Sequence, residues 1–473
     1  MWQALKLFFD TFGSYIMVPL ILFIIALLFK APVKKAFMSA VLAGVGLKGM
    51  EFITKAFGAV LSPLVQRLVD ITGINLPVID IGWQAVASVA YSTDIGLMYI
   101  GVGLVFQVIL YLTKWTDIFM PSDLWNNYSI FVWGSLFFQI TGHLTLAFGL
   151  MLFINVVVLL IAEVVQKRWS SYYGYPGCAM TAPHHMGDAP MYLVLDVVLG
   201  RLGFDKINLR PESIKQKFGF LGEPMYVGII VGLILGIIGN IDILGTIKAW
   251  GQIANVAVTC SAVMAIFPKV AGLFASAFTT ITDYSRKTLK KSKYGKDREF
   301  IIAVNDALGY GEMATLTTGL LVIPFAVLLA FIVPGNLVIP LMVLPSLPYM
   351  VEVPVCLSNG NIAKSAVAAC IVFSAKLLMA SSWAAVFTKI ATQVGFEVTT
   401  GSVLIIGFIM SNCTAGLITY AFMTFNPVII GAVVILYLIA FFLFKKNKTA
   451  VWAYLENNAF RYQKLNGEVP GNS

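Results

Sequence analysis

Apolar runs long enough to cross a hydrocarbon core of roughly 30 Å alternate along this chain with short polar breaks. The first run covers residues 12–29 and is followed at once by Lys30, Lys34 and Lys35. Residues 36–69 are rich in glycine and alanine, yet they carry Lys48, Glu51 and Lys55 at spacings of three and four, which share one helical face. That pattern predicts a long amphipathic helix, packed on protein along one side and facing a polar region along the other. A short broken segment follows at 76–83, and a span is predicted at about 96–112. A polar, aromatic loop covers 113–128. Residues 130–165 are too many for one crossing, so two helices are predicted, parting near Thr141-Gly-His143. A short amphipathic helix is predicted at 191–202.

The second half of the chain repeats this order. A polar, basic loop over 201–220 leads into an apolar helix at 224–238, whose Gly228, Gly232 and Gly236 recur every four residues and let another helix approach closely. An amphipathic stretch at 244–283 and a glycine-punctuated break at 304–312 come next. Spans are predicted at 313–333, 365–387, 403–422 and 428–444. Between them, Pro340, Pro345 and Pro348 interrupt apolar sequence and make an irregular or re-entrant piece of 337–352. Apolar helix, amphipathic helix, then an aspartate in broken backbone thus occurs twice, ending at Asp80 and again at Asp306. Lysine and arginine accumulate on the inner side of a membrane, and ends assigned on that rule give the two copies opposite orientations. The reading is an inverted repeat, with approximate units 12–202 and 223–422 in a single membrane domain spanning 1–473, a last helix at 428–444 and a cytoplasmic tail at 445–473.

Composition removes the soluble alternatives. Of 473 residues, 59% are hydrophobic and 12% charged, and soluble domains carry about twice that charged fraction. The formal charge of +9 is assigned to inward-facing loops: between Arg286 and Glu299, seven basic residues stand against two acidic. The same rule puts the N-terminus outside and, behind Lys445, Lys446 and Lys448, the C-terminus inside. The first ten residues lack a charged region followed by a small-residue cleavage site, so the first run is expected to remain as a membrane helix. The five cysteines show no metal or redox spacing and read as small apolar fillers. Neither a phosphate-cradling glycine loop with lysine nor a nucleotide fingerprint occurs, so no ATP-driven step, cofactor, metal or nucleic-acid partner is expected.

Chemistry concentrates where the backbone breaks. Thr181-Ala-Pro-His-His-Met-Gly-Asp-Ala-Pro190 holds two of the three histidines, His184 and His185, between two prolines. Ionisable groups on broken backbone at membrane depth mark a transport site, whereas a surface loop with structural histidines is the plainer alternative. Asp80, Gln139, His143, His184, His185, Asp306 and Glu312 together offer what a hydroxylated cargo requires. Carboxylates only accept hydrogen bonds, amides donate and accept, and a neutral histidine does one of each. Gln139 and His143, four apart, share a face if their helix runs on through Gly142.

Three segments resemble the galactitol-type enzyme IIC components of the bacterial phosphotransferase system: Asn75-Leu-Pro-Val-Ile-Asp-Ile-Gly-Trp83, Lys217-Phe-Gly-Phe-Leu-Gly-Glu-Pro224 and Pro334-Gly-Asn-Leu-Val-Ile-Pro340. That family is similar in turn to the ascorbate-type enzyme IIC. The resemblance implies an all-α polytopic protein of the bacterial cytoplasmic membrane with about eleven transmembrane helices and two re-entrant hairpins. It further implies a homodimer in which a scaffold carries a mobile, elevator-type core. Its function would be that of a permease subunit that translocates a polyol while a separate, soluble B component, served by an A component, phosphorylates it. A substrate hydroxyl would attack the phosphoryl group and a base would take its proton; Asp306, Glu312 and His184 are the candidates in that order. Substrate binding is assigned to Gln139, His143, His184, His185, Asp80 and Asp306. The competing reading is an ion-coupled secondary transporter with Asp80 and Asp306 as coupling groups.

Overall fold

The computed structural model describes residues 11–12, 14–73, 76–207, 209–290, 300–395 and 404–461. Most of the basic run at 286–299 and the end of the tail lie outside the described residues. Among the described residues, seven helices are long and apolar enough to cross a membrane, and several shorter apolar helices accompany them.

The hydropathy pattern locates most of these elements. The first two are helices Ser14–Leu28 and Val33–Thr72. In the second of these, Glu51 accepts from Lys48 at 2.9 Å and from Lys55 at 2.6 Å, the pairing that their spacing predicts. Helices Tyr128–Thr141 and Leu144–Tyr173 part at Gly142, whose φ of 70° needs a residue without a side chain. The glycine stripe lies in helix Pro224–Ile238 and meets helix Ile247–Lys290. A Cβ added at Gly232 would stand 2.5 Å from the Cα of Ala257.

Three expectations are corrected. Residues 403–422 are not one span: Leu404–Ile406 is a strand, and helix Cys413–Met423 begins only where the side chain of Asn412 accepts from Ala415 N. The backbone of 404–406 is engaged sideways with another strand and cannot serve a helix. The polar loop at 201–220 contains helix Pro211–Phe218, with proline at its first position where a missing N–H costs nothing. The last helix runs on from Pro427 to Ala459, with a kink at Asn447.

Six short strands, unforeseen in the hydropathy pattern, hold the broken segments together. They are β1 (Val78–Asp80), β2 (Ile118–Phe119), β3 (Cys178–Met180), β4 (Ile301–Val304), β5 (Val338–Ile339) and β6 (Leu404–Ile406). They form two three-stranded parallel sheets, ordered β5-β1-β6 and β2-β4-β3. Each central strand is therefore flanked by two strands from the other half of the chain. Asp80 pairs with Ile406 in one sheet and Val304 with Met180 in the other, so Asp80 and Val304 hold matching places. Asp306 lies two residues beyond its matching place. Pairing also satisfies backbone groups that would otherwise be unpaired in an apolar interior.

Candidate functional site

The β2-β4-β3 sheet builds the site. All four residues of β4 are buried, and the strand delivers Asn305 and Asp306 at its C-terminal end. Beside it, β3 leads through Thr181 and Ala182 into the single turn Pro183–Met186, which carries His184 and His185. The parallel register between β3 and β4 sets these two exits next to each other. His184 Nε2 then lies 3.2 Å, and His185 Nδ1 2.8 Å, from Asp306 Oδ2.

An ionised carboxylate only accepts, so both facing ring nitrogens carry their hydrogen. Both imidazoles use the same oxygen, which leaves Asp306 Oδ1 for another partner. Rings hold the histidines in place. Tyr128 stacks on His184 with centroids 5.2 Å apart, and Tyr349 lies parallel to His185 at 6.1 Å. These groups line a small cavity of about 70 Å³, part of it open to the outside, together with Glu51, Thr54, Trp83, Asn126 and Asn305. Asn305, Asn126 and Glu51 add amide and carboxylate groups suited to hydroxyls.

His184, His185 and Asp306 also present three ligand atoms within 4.8 Å of one another. A histidine that ligates a metal commonly donates its second N–H to a carboxylate or carbonyl. His184 Nδ1 and His185 Nε2 are buried and have no hydrogen-bond partner among the described residues.

The remaining sequence candidates stand elsewhere. Asp80 is fully buried and accepts from the backbone N–H groups of Gly82 at 3.1 Å, Val343 at 2.6 Å and Phe408 at 3.0 Å. It ties three broken segments together behind the cavity wall. Glu312 caps helix Met313–Ile332, accepting from Ala314 N and Thr315 N, each at 2.9 Å. Gln139 lines a separate polar cleft with Thr93, Asp94, Ser135 and Gln393. His143 is exposed and meets the ring of Phe425 edge-on at 5.0 Å. Gln139 and His143 share no helical face, because Gly142 turns the chain between them.

Several lining residues escaped the sequence reading. Glu51 left a trace, since its helical spacing pointed to a polar-facing side. Asn126, Asn305, Tyr128 and Tyr349 left none, because an asparagine or a tyrosine near a turn is ordinary in any membrane protein.

Residues 8–402 match the family model described as PTS system sugar-specific permease component, EIIC-GAT. Over 388 residues the chain is 29% identical to a protein of Escherichia coli (strain K12) described as a permease IIC component, covering 81% of this chain and 86% of the relative. It is 26% identical, over 81% of its own length and 83% of the relative's, to the PTS system galactitol-specific EIIC component of the same strain. The galactitol-specific EIIC component of Escherichia coli O157:H7 gives the same identity and coverage.

Proposed function

The chain belongs to the family of PTS sugar-specific permease components, EIIC-GAT, and from that membership we propose that a polyol of the galactitol kind is held at His184, His185 and Asp306 while it is translocated and phosphorylated. The protein is the permease subunit of a sugar phosphotransferase system, a multi-pass membrane protein. The observation that carries the site reading is the convergence of both histidines on a single carboxylate oxygen at the edge of a cavity.

In this reading a substrate hydroxyl attacks the phosphoryl group carried by a soluble B component on the cytoplasmic side. The oxygen–phosphorus bond to the sugar forms as the bond to the B component breaks, and the hydroxyl proton passes to Asp306 Oδ1. His184 and His185 keep the other carboxylate oxygen occupied, so the free oxygen is aimed at the cargo. The asparagines and Glu51 take the remaining hydroxyls, since each buried polar group left unpaired costs on the order of 1–3 kcal/mol.

The element order, the exchange of strands between halves and the basic ends at Lys34, Lys35, Lys445 and Lys446 support an inverted-repeat architecture. We place the N-terminus outside and the C-terminus inside. About eleven spans with two re-entrant hairpins belong to this proposal, as do a homodimeric scaffold and an elevator-type core. Membranes holding the protein, supplied with partner A and B components and a phosphoryl source, are expected to convert radiolabelled galactitol to its phosphate. Conversion of ascorbate with none of galactitol would overturn the substrate class.

A further inference from the structure

Lys376 sits mid-way along the apolar helix Ile362–Gln393, and its side chain is fully shielded from solvent. A cation at such a place is costly unless it is paired. Its ammonium donates to Asp188 Oδ2 at 2.8 Å and to the backbone carbonyl of His184 at 3.3 Å. Asp188 turns its other oxygen to Cys413 N at 3.0 Å, the start of helix Cys413–Met423. The carbonyl of Gly187 accepts from the Thr414 hydroxyl. A Cβ on Gly187 would stand 2.4 Å from Asn412 Oδ1, so the histidine turn is seated tightly on that helix start.

Resting on the reading of the cavity given above, we propose that Lys376 is a positioning residue: with Asp188 as counter-ion it fixes the carbonyl of His184, and so the direction from which the His184 ring meets Asp306 and the cargo. Neutralising a buried charge does not by itself require this geometry, because an apolar pair of similar volume often serves stability as well. What an apolar pair cannot replace is the donor to His184. The turn Pro183–Met186 is a single turn, too short to hold its own orientation, and takes it from what it is fastened to. The three fastenings come from the second half of the chain, as does Asp306.

The test uses the full chain in membranes with its partner components, and galactitol as the probe. The neutral pair K376M/D188N removes both charges together. Its melting temperature is expected to stay near that of the parent, while KM for galactitol rises on the order of tenfold with little change in kcat, the signature of a lost binding contact. The reversed pair K376D/D188K keeps an ion pair in place but sets a carboxylate against the His184 carbonyl. It is expected to raise KM likewise, and it tests the proposal should the neutral pair fail to fold. A parental KM in either folded pair would overturn the positioning role. His184→Ala is the control for the underlying reading: if it alters KM while the double variants do not, only the role of Lys376 is lost; if it too leaves KM unchanged, the cavity reading fails.

Discussion

His185 Nδ1 and Asp306 Oδ2 stand 2.8 Å apart although 121 residues separate them in sequence. The pairing of Met180 with Val304 accounts for this, because β3 and β4 run parallel and in register, β3 ending five residues before His185 and β4 two before Asp306. A strand of three or four residues contributes little stability alone. Here it acts as a ruler, converting two backbone breaks from different halves of the chain into one cluster.

Asp306→Asn keeps the size of the side chain and one accepting oxygen but removes the proposed base. Phosphorylated product is expected to fall by about 10²–10⁴-fold, the usual worth of a general base, with expression and melting unchanged. Product formation at the parental rate in washed membranes would remove Asp306 from the reaction.

Asp80→Asn has the opposite signature. Three backbone N–H groups converge on the Asp80 carboxylate, and an amide brings two donors where only acceptors are wanted. Hydrogen bonds to charged groups are worth about 1.5–3 kcal/mol each, so the variant is expected to melt well below the parent in detergent. Whatever fraction remains folded should bind galactitol with unchanged affinity. A variant that keeps its melting point but loses affinity would return Asp80 to the binding site.

His143→Ala is expected to leave KM within about twofold, as exposed substitutions change energies by about 0.5 kcal/mol or less. A larger rise would mean that the C-terminal end of helix Tyr128–Thr141 joins the substrate path.

Much of this architecture was legible in the chain because it rests on periodicity. The glycine stripe, the charges at Lys48, Glu51 and Lys55, and the break at Gly142 each depend on local spacing, and each stands where that spacing puts it. The strands were not legible: two to four apolar residues look the same in a strand as at the edge of a span, so 403–422 read as a helix. The site was half legible for the same reason. His184, His185 and Asp306 declared themselves as polar residues in broken apolar sequence, but so did Asp80 and Glu312. Only the pairing of strands decides which carboxylate faces a cavity and which caps backbone. Lys376 was hidden inside a span, where its acidic partner is distant in sequence.

Gly232→Ala tests the packing of the stripe. The added methyl would meet the backbone of Ala257 at 2.5 Å, and backbone cannot rotate aside as a side chain can. Overpacking of this kind costs about 1–3 kcal/mol. A lower melting temperature is expected, with galactitol affinity retained in the folded fraction. An unchanged melting temperature would show that helices Pro224–Ile238 and Ile247–Lys290 part freely.

Glu163→Gln bears on the last helix, all of which lies beyond the matched residues 8–402. The buried carboxylate of Glu163 accepts from Lys445 at 2.8 Å and Lys448 at 2.6 Å, and its backbone carbonyl accepts from Trp452. Lys448 also reaches Asp117 at 2.7 Å, so one clamp joins the last helix to helix Leu144–Tyr173 and to the approach to β2. The lysines are roughly one-fifth exposed, which tempers the attraction, yet an amide in place of the carboxylate leaves both without their shared partner. The kink at Asn447 lies between the two lysines and gives the freed end a place to swing. Trypsin is therefore expected to cut at Lys445–Lys448 faster in the variant than in the parent, while KM for galactitol stays put because the clamp touches no residue of the cavity. Equal cleavage rates would mean that apolar packing, with Tyr437 and Phe441 against Trp115 and Phe153, holds the helix without the ion pairs.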